Sequence, residues 1–171
     1  SSVILCSEKF AKAHGGDYVE VIGSGRGGSP AALQGREHMT TIPSTKIAAE
    51  AAYNMAGITA KDVDFAEVHD CFTIAEVVDT EDLGFFGKGE GIQAIREDRT
   101  KLNSDISINP SGGLKSKGHP IGATGIGQVV EVYDQLTGQA GARTVKDAKV
   151  GLTHNFGATG ASCAVHVFQS V

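Results

Sequence analysis

Hydrophobic and polar positions along the chain switch between a period of two and a period near 3.6, which predicts alternating strands and helices. Residues 3–6 form a short apolar run, read as a buried strand, and a helix over residues 8–13 follows and stops at Gly15-Gly16. Residues 18–22 alternate as a strand that ends at Gly23. No clear period holds from 23 to 42, where Gly23, Gly25, Gly27, Gly28, Pro30 and Gly35 predict a loop-rich excursion. A loop of that length in a compact domain points to function or to a covered partner.

From Pro43 the helical period is clear. Ser44 or Thr45 is placed to cap the first turn, residues 46–56 are Ala-rich, and Gly57 can end the helix in a left-handed conformation. Residues 65–68 read as a strand running into His69-Asp70-Cys71-Phe72-Thr73, with a helix over 74–83 after it. Residues 84–105 are polar, charged and Gly-containing, which predicts a surface insertion. A brief strand over 106–109 leads to Pro110-Ser111-Gly112-Gly113. A Gly-rich loop then feeds a helix with Val129, Val132, Tyr133 and Leu136 on one face. Residues 149–153 and 161–168 are strands around a turn at 154–160. The chain carries no internal repeat and reads as one α/β unit over residues 1–171.

Composition narrows the function classes. The net charge is −5 and no basic block occurs, so the chain has no electrostatic footprint for nucleic acid or an anionic membrane. A 40% hydrophobic content is enough for a core, and no apolar run approaches a membrane span. Glycine is enriched, 23 of 171 residues, which marks places where backbone must approach something closely. The three cysteines, Cys6, Cys71 and Cys163, form no CxxC and leave one unpaired, which favours a reducing, cytoplasmic compartment. The N-terminus has neither an initiator Met nor the pattern of a signal peptide, and reads as the middle of a longer polypeptide, with a processed chain as the alternative.

Reactive side chains gather at three strand ends. If the backbone stays extended through His69-Asp70-Cys71, His69 and Cys71 share one face and Asp70 takes the other. An imidazole beside a thiol can share its proton and lower its pKa, giving an acid/base cysteine; the plain alternative is a half-buried apolar Cys. His119 lies between Gly118 and Pro120 just before a helix, suited to take a proton from a nucleophile or to donate to an oxyanion, or else simply to shape a turn. The His154-Asn155-Phe156-Gly157 turn offers backbone amides and side-chain donors for an anion hole, or is only an Asn/Gly turn. A phosphate loop is excluded by the missing Gly-Lys-Ser/Thr. A zinc site from His69, Cys71, His119 and His154 fits no structural zinc spacing. Cys6 and Cys163 read as core residues, and His14, His38 and His166 as surface or packing residues.

Taken in order, His69-Asp70-Cys71-Phe72, then Asn109-Pro110-Ser111-Gly112-Gly113 with Gly118-His119-Pro120-Ile121-Gly122-Ala123-Thr124-Gly125, then His154-Asn155-Phe156-Gly157 resembles the C-terminal half of thiolases. The likeness is greatest to the sterol-carrier-protein type and to archaeal and bacterial acetyl-CoA acetyltransferases, and it spans essentially the whole chain. It implies a thiolase-like αβαβα layered sandwich, C-terminal half only, with a mixed sheet and helices on both faces. It also implies a dimeric acyl-CoA acyltransferase that uses a coenzyme A thioester as substrate and binds no cofactor. In such an enzyme a nucleophilic Cys from the N-terminal half carries the acyl group. His119 would activate that Cys and help bind the thioester oxygen, and Cys71 would be the second acid/base. His69 stands where many thiolases carry an Asn that positions a water or oxyanion, and His154 where most place the second Cys. No Cys in this chain suits the nucleophile, which implies that the N-terminal half, on the same natural chain or a separate subunit, supplies it. A related ketosynthase or aldolase, and a non-catalytic CoA-binding or assembly subunit, remain the competing readings.

Overall fold

The computed structural model describes residues 1–171. Strands β1 (Val19–Gly28), β2 (Phe65–Glu67), β3 (Ser107–Ile108), β4 (Val150–Gly157) and β5 (Ser162–Ser170) form one mixed sheet in the order β1-β5-β4-β2-β3. β1, β5 and β4 are antiparallel neighbours, whereas β2 runs parallel to both β4 and β3. The helices are α1 (Glu8–His14), α2 (Pro43–Ala56), α3 (Thr73–Asp82), α4 (Gly91–Arg96), α5 (Gly113–Lys117) and α6 (Thr124–Leu136).

The register sorts side chains onto two faces. Leu152 pairs with Val167 and His154 with Val165, so these positions share a face, and there Ala48, Ala49 and Ala52 of α2 pack on Val165 and Val167. On the opposite face Phe65 and Phe168 meet Val132 of α6 and Val145. Helices therefore cover both faces of a mixed sheet, as the thiolase resemblance implies.

β1 extends well past Gly23, and its second half reverses the loop expectation for this stretch. Gly23, Gly25 and Gly27 lie on the α2 face, opposite Val167, Val165 and Cys163. A Cβ at Gly25 would fall 2.7 Å from Ala52 N, and one at Gly27 2.8 Å from Ser44 C. These glycines give no hydrophobic period because their task is to let a helix backbone rest on a strand backbone.

Several other boundaries differ from the sequence reading. Residues 3–6 form no strand, and Ile4 and Leu5 are exposed, as is Cys6. Ser44 and Thr45 do not cap α2: Pro43 starts it and Ile42 precedes it without a side-chain cap, while Ser44 and Thr45 are fully buried. Gly57 does end α2 in the left-handed region, at φ 70°. Residues 84–105 are more than a surface excursion, since they contain α4 and bury Phe86 and Ala94 in the core. β4 continues through His154, Asn155 and Phe156 to Gly157, so those residues are strand rather than turn. On α6 only Val132 of the four apolar positions is fully buried; Val129, Tyr133 and Leu136 are half-buried.

Candidate active site

The chain leaves β2 at Glu67 and is pinned at once. Val68 N–H donates to Asn109 Oδ1 (2.8 Å), and Asn109 N–H donates to the Ala66 carbonyl (2.8 Å). Asp70 turns toward α5, where its carboxylate accepts from Leu114 N–H (2.7 Å) and Lys115 N–H (3.4 Å). Gly113 is required beside it: its φ is +65°, and a Cβ there would lie 2.7 Å from Asp70 Cγ. The fully buried Glu67 accepts from Ser111 N–H (3.0 Å), Ser111 Oγ (2.6 Å) and Lys117 Nζ (3.3 Å). These bonds staple the segment before His119 to the segment carrying His69 and Cys71.

With Asp70 committed to α5, His69 and Cys71 line a cavity of about 880 Å³ together with His119, Asn155, Phe156 and Gly157. The His69 and His119 rings meet edge to face with centroids 4.8 Å apart, and Phe156 packs 4.7 Å from His69. His119 Nδ1 lies 2.7 Å from Thr124 Oγ1, whose hydroxyl donates to the Pro120 carbonyl (3.2 Å). The hydroxyl has one proton, so Nδ1–H donates to it, and in the neutral ring Nε2 carries the lone pair. His69 repeats the arrangement. Its Nδ1–H donates to Asn155 Oδ1 (2.9 Å), and Asn155 Nδ2 is held by Gln128 Oε1.

Burial lowers the His69 pKa, only partly offset by the bond to Asn155. The Cys71 thiol goes the other way from the sequence expectation. Desolvation raises it, and the Phe72 amide is the main influence opposing the rise. At neutral pH Cys71 is a proton-bearing thiol beside the imidazoles of His69 and His119, a set suited to proton transfer at a carbon acid.

His154 is the site residue that the structure removes from the cavity. It faces α2, is fully buried, and burial pushes its pKa down to about 3, with His69 adding to the fall. Its Nε2 lies 3.0 Å from Thr45 Oγ1, and its Nδ1 accepts from the His69 backbone N–H (3.4 Å). The physical reason is the strand period: β4 continues, so neighbouring residues His154 and Asn155 point to opposite faces. Cys163 is buried, with its thiol pushed up to about 12 by desolvation.

Among the polar residues lining the cavity, Arg26, Thr124 and His166 escaped the sequence reading, as did Gln128, which stands behind Asn155. Thr124 and Gln128 are one helical turn apart at the start of α6, a spacing that was available as a signal. His166 lies on the same face as Asn155 through the β4–β5 register, which no local pattern discloses.

Residues 25–170 match the family described as thiolase C-terminal domain-like. The acetyl-CoA acetyltransferase of Methanothermobacter thermautotrophicus is 47% identical over 169 residues, covering 99% of this chain and 44% of that protein. Human sterol carrier protein 2 is 38% identical over 178 residues, covering 94% of this chain and 30% of that protein. The chain thus spans less than half the length of these relatives. A solved structure described as an Ltp2-ChsH2(DUF35) aldolase superposes with a TM-score of 0.77 at 18% identity, covering 90% of this chain and 40% of that one, a likeness of fold alone. No helix is long and apolar enough to cross a membrane. The extent of the family match, over a site built from the motifs that suggested it, places the chain in the thiolase C-terminal domain-like family.

Proposed function

We propose that this chain supplies the proton-handling half of an acyl-CoA acyltransferase that cleaves or forms 3-ketoacyl-CoA, with acetyl-CoA as one partner. The observation that carries the reading is the convergence of His69, His119 and the Cys71 thiol on one cavity, with the two rings 4.8 Å apart. In the cleavage direction a cysteine thiolate outside this chain attacks the 3-keto carbon, after His119 Nε2 has taken its proton. The C2–C3 bond then breaks, and its electron pair passes to the enolate of acetyl-CoA. Cys71 gives its proton to C2, and His69 faces the oxygen on which charge accumulates. Coenzyme A thiol, deprotonated in turn, attacks the acyl-enzyme and releases the shortened acyl-CoA.

The relatives' names support the substrate class, and the coverage of their length supports a further half as the source of the nucleophile; a dimeric full enzyme is what the thiolase resemblance implies. The thiols within this chain are poor candidates for it: Cys163 is buried with a raised pKa, and Cys6 lies outside the cavity.

The test uses the full-length enzyme. Cys71→Ala should lower acetoacetyl-CoA cleavage by at least about 10²-fold while labelling of the nucleophile by acyl-CoA persists, and His119→Ala should abolish that labelling. Undiminished cleavage by Cys71→Ala would overturn the assignment. A chain that only binds CoA would show no turnover in the parent enzyme.

A further inference from the structure

Asp79 lies on α3 with no exposed surface, and neither of its carboxyl oxygens has a hydrogen-bond partner. Its Oδ2 is 3.7 Å from His154 Nδ1. The other charged groups that bear on it are acidic: Asp82 and Glu76 from its own helix and Asp70 from the loop before it. The nearby Lys88 is taken up by Asp82 and Glu81. The remaining titratable neighbours, Cys163 on β5 and Cys71, are thiols whose pKa values burial raises, so neither offers Asp79 a positive charge.

The hydrogen-bond directions around His154 fix its proton. The His69 backbone N–H donates to Nδ1, so the neutral ring carries its proton on Nε2 and donates it to Thr45 Oγ1, which leaves the hydroxyl to donate to Cys163 Sγ (3.7 Å). A neutral ring with Nε2 protonated has a bare Nδ1, which is the acceptor that the His69 backbone N–H finds. That lone pair faces Asp79. An ionised carboxylate there would set two acceptors against each other in a dry interior; a carboxylic acid can point its O–H toward Nδ1 and share that lone pair with the His69 amide at longer range.

We propose that Asp79 is a positioning residue: the proton held on its carboxyl group keeps the His154 ring in the one tautomer whose Nδ1 can anchor the main chain of His69. The series runs from Asp79 to His154, to Thr45 and to Cys163, and it meets the reactive side chains through the His69 amide. Desolvation and the three acidic neighbours raise the Asp79 pKa well above that of an ordinary carboxylate, in keeping with this protonation. The benefit to catalysis rests on the function proposed above; the protonation state does not.

Two measurements on the full-length protein separate those claims. With 15N-histidine labelling, the resonances that disappear in His154→Phe belong to His154. They should show an unprotonated Nδ1 and a protonated Nε2 at neutral pH; a ring protonated on both nitrogens, or on Nδ1, would overturn the proposal whatever the enzyme does. In kinetics, Asp79→Asn keeps a donor toward Nδ1 and should retain kcat within about threefold, whereas Asp79→Leu should lose about tenfold or more in kcat with little change in KM. Equal activity of the two variants, or an equal loss, would also overturn it. If Asp79→Leu fails to fold, a His154 ring protonated on Nδ1 in the unaltered protein would still overturn the proposal. If no variant and no parent enzyme turns over acyl-CoA, the functional reading has failed and the tautomer result stands by itself.

Discussion

Replacing Gly25 with Ala tests the contact on which the α2 side of the site depends. The added Cβ would lie on the Ala48 carbonyl oxygen, 2.7 Å from Ala52 N and 2.9 Å from Ala48 C. Ordinary contact begins near 3.4 Å, so the amide nitrogen alone demands a retreat of about 0.7 Å, and the oxygen demands more. Overpacking against movable side chains costs about 1–3 kcal/mol. Here both partners are backbone in regular structure, one in β1 and one in α2, and neither can swing aside. The helix must lift, which loosens Ala48, Ala49 and Ala52 from Val165 and Val167. We therefore expect a loss of about 3 kcal/mol or more, a large part of the roughly 5–15 kcal/mol that holds a domain together. Gly28→Ala is the matched control, because its Cβ would find only Ala161 O at 3.9 Å. It should be neutral or slightly stabilising, since Ala restricts the unfolded chain. Urea unfolding followed by circular dichroism gives both values. Similar midpoints for Gly25→Ala and Gly28→Ala would refute the close-approach argument.

Two further outcomes follow from the titrating groups. His154 has a folded pKa of about 3 against an unfolded value of 6.5, so it contributes stability that is complete above pH 6.5 and is lost as pH falls toward 3. The stability difference between wild type and His154→Phe should shift against the wild type by about 3 kcal/mol from pH 7 to pH 4, and a difference independent of pH would show that His154 is not buried neutral. For Cys71, whose thiol is raised above 9, alkylation by iodoacetamide followed by peptide mass spectrometry should keep accelerating beyond pH 9; a rate already at its plateau at pH 8 would mean that an imidazole lowers the thiol after all.

The parts of this fold that were legible in the sequence are those whose hydrophobic period is set locally. α2 and α3 follow from apolar spacing and breakers, and His69-Asp70-Cys71 and Gly118-His119-Pro120 stood out because reactive side chains sat where strands end. The second half of β1 was illegible for a physical reason. Gly23, Gly25 and Gly27 are strand residues defined by what they admit, the backbone of a helix that lies 17 to 29 residues further along the chain, and a residue without a side chain carries no pattern. The end of β4 misled in the opposite way. Asn155 and Gly157 suggest a turn by composition, yet their backbone pairs with Ala164 and Ser162, and tertiary pairing overrides local propensity. That one misplaced boundary also misassigned His154, because extending a strand by a few residues decides which face each side chain takes.

The same strand period explains how one residue can be held so firmly at the edge of a cavity. His69 is gripped by two successive residues of β4: His154 accepts from its main chain on the α2 face, and Asn155 accepts from its ring on the α6 face. Each grip is backed by a helix, Thr45 of α2 behind His154 and Gln128 of α6 behind Asn155. A ring supported on one side could pivot about its main chain or slide with it; support on both sides removes each freedom separately. The edge contact with His119 then inherits that rigidity, since His119 is itself fixed through Thr124 at the start of the same α6. The sheet thus acts as a partition whose two helix layers meet at His69, and a perturbation of either layer should reach the cavity there.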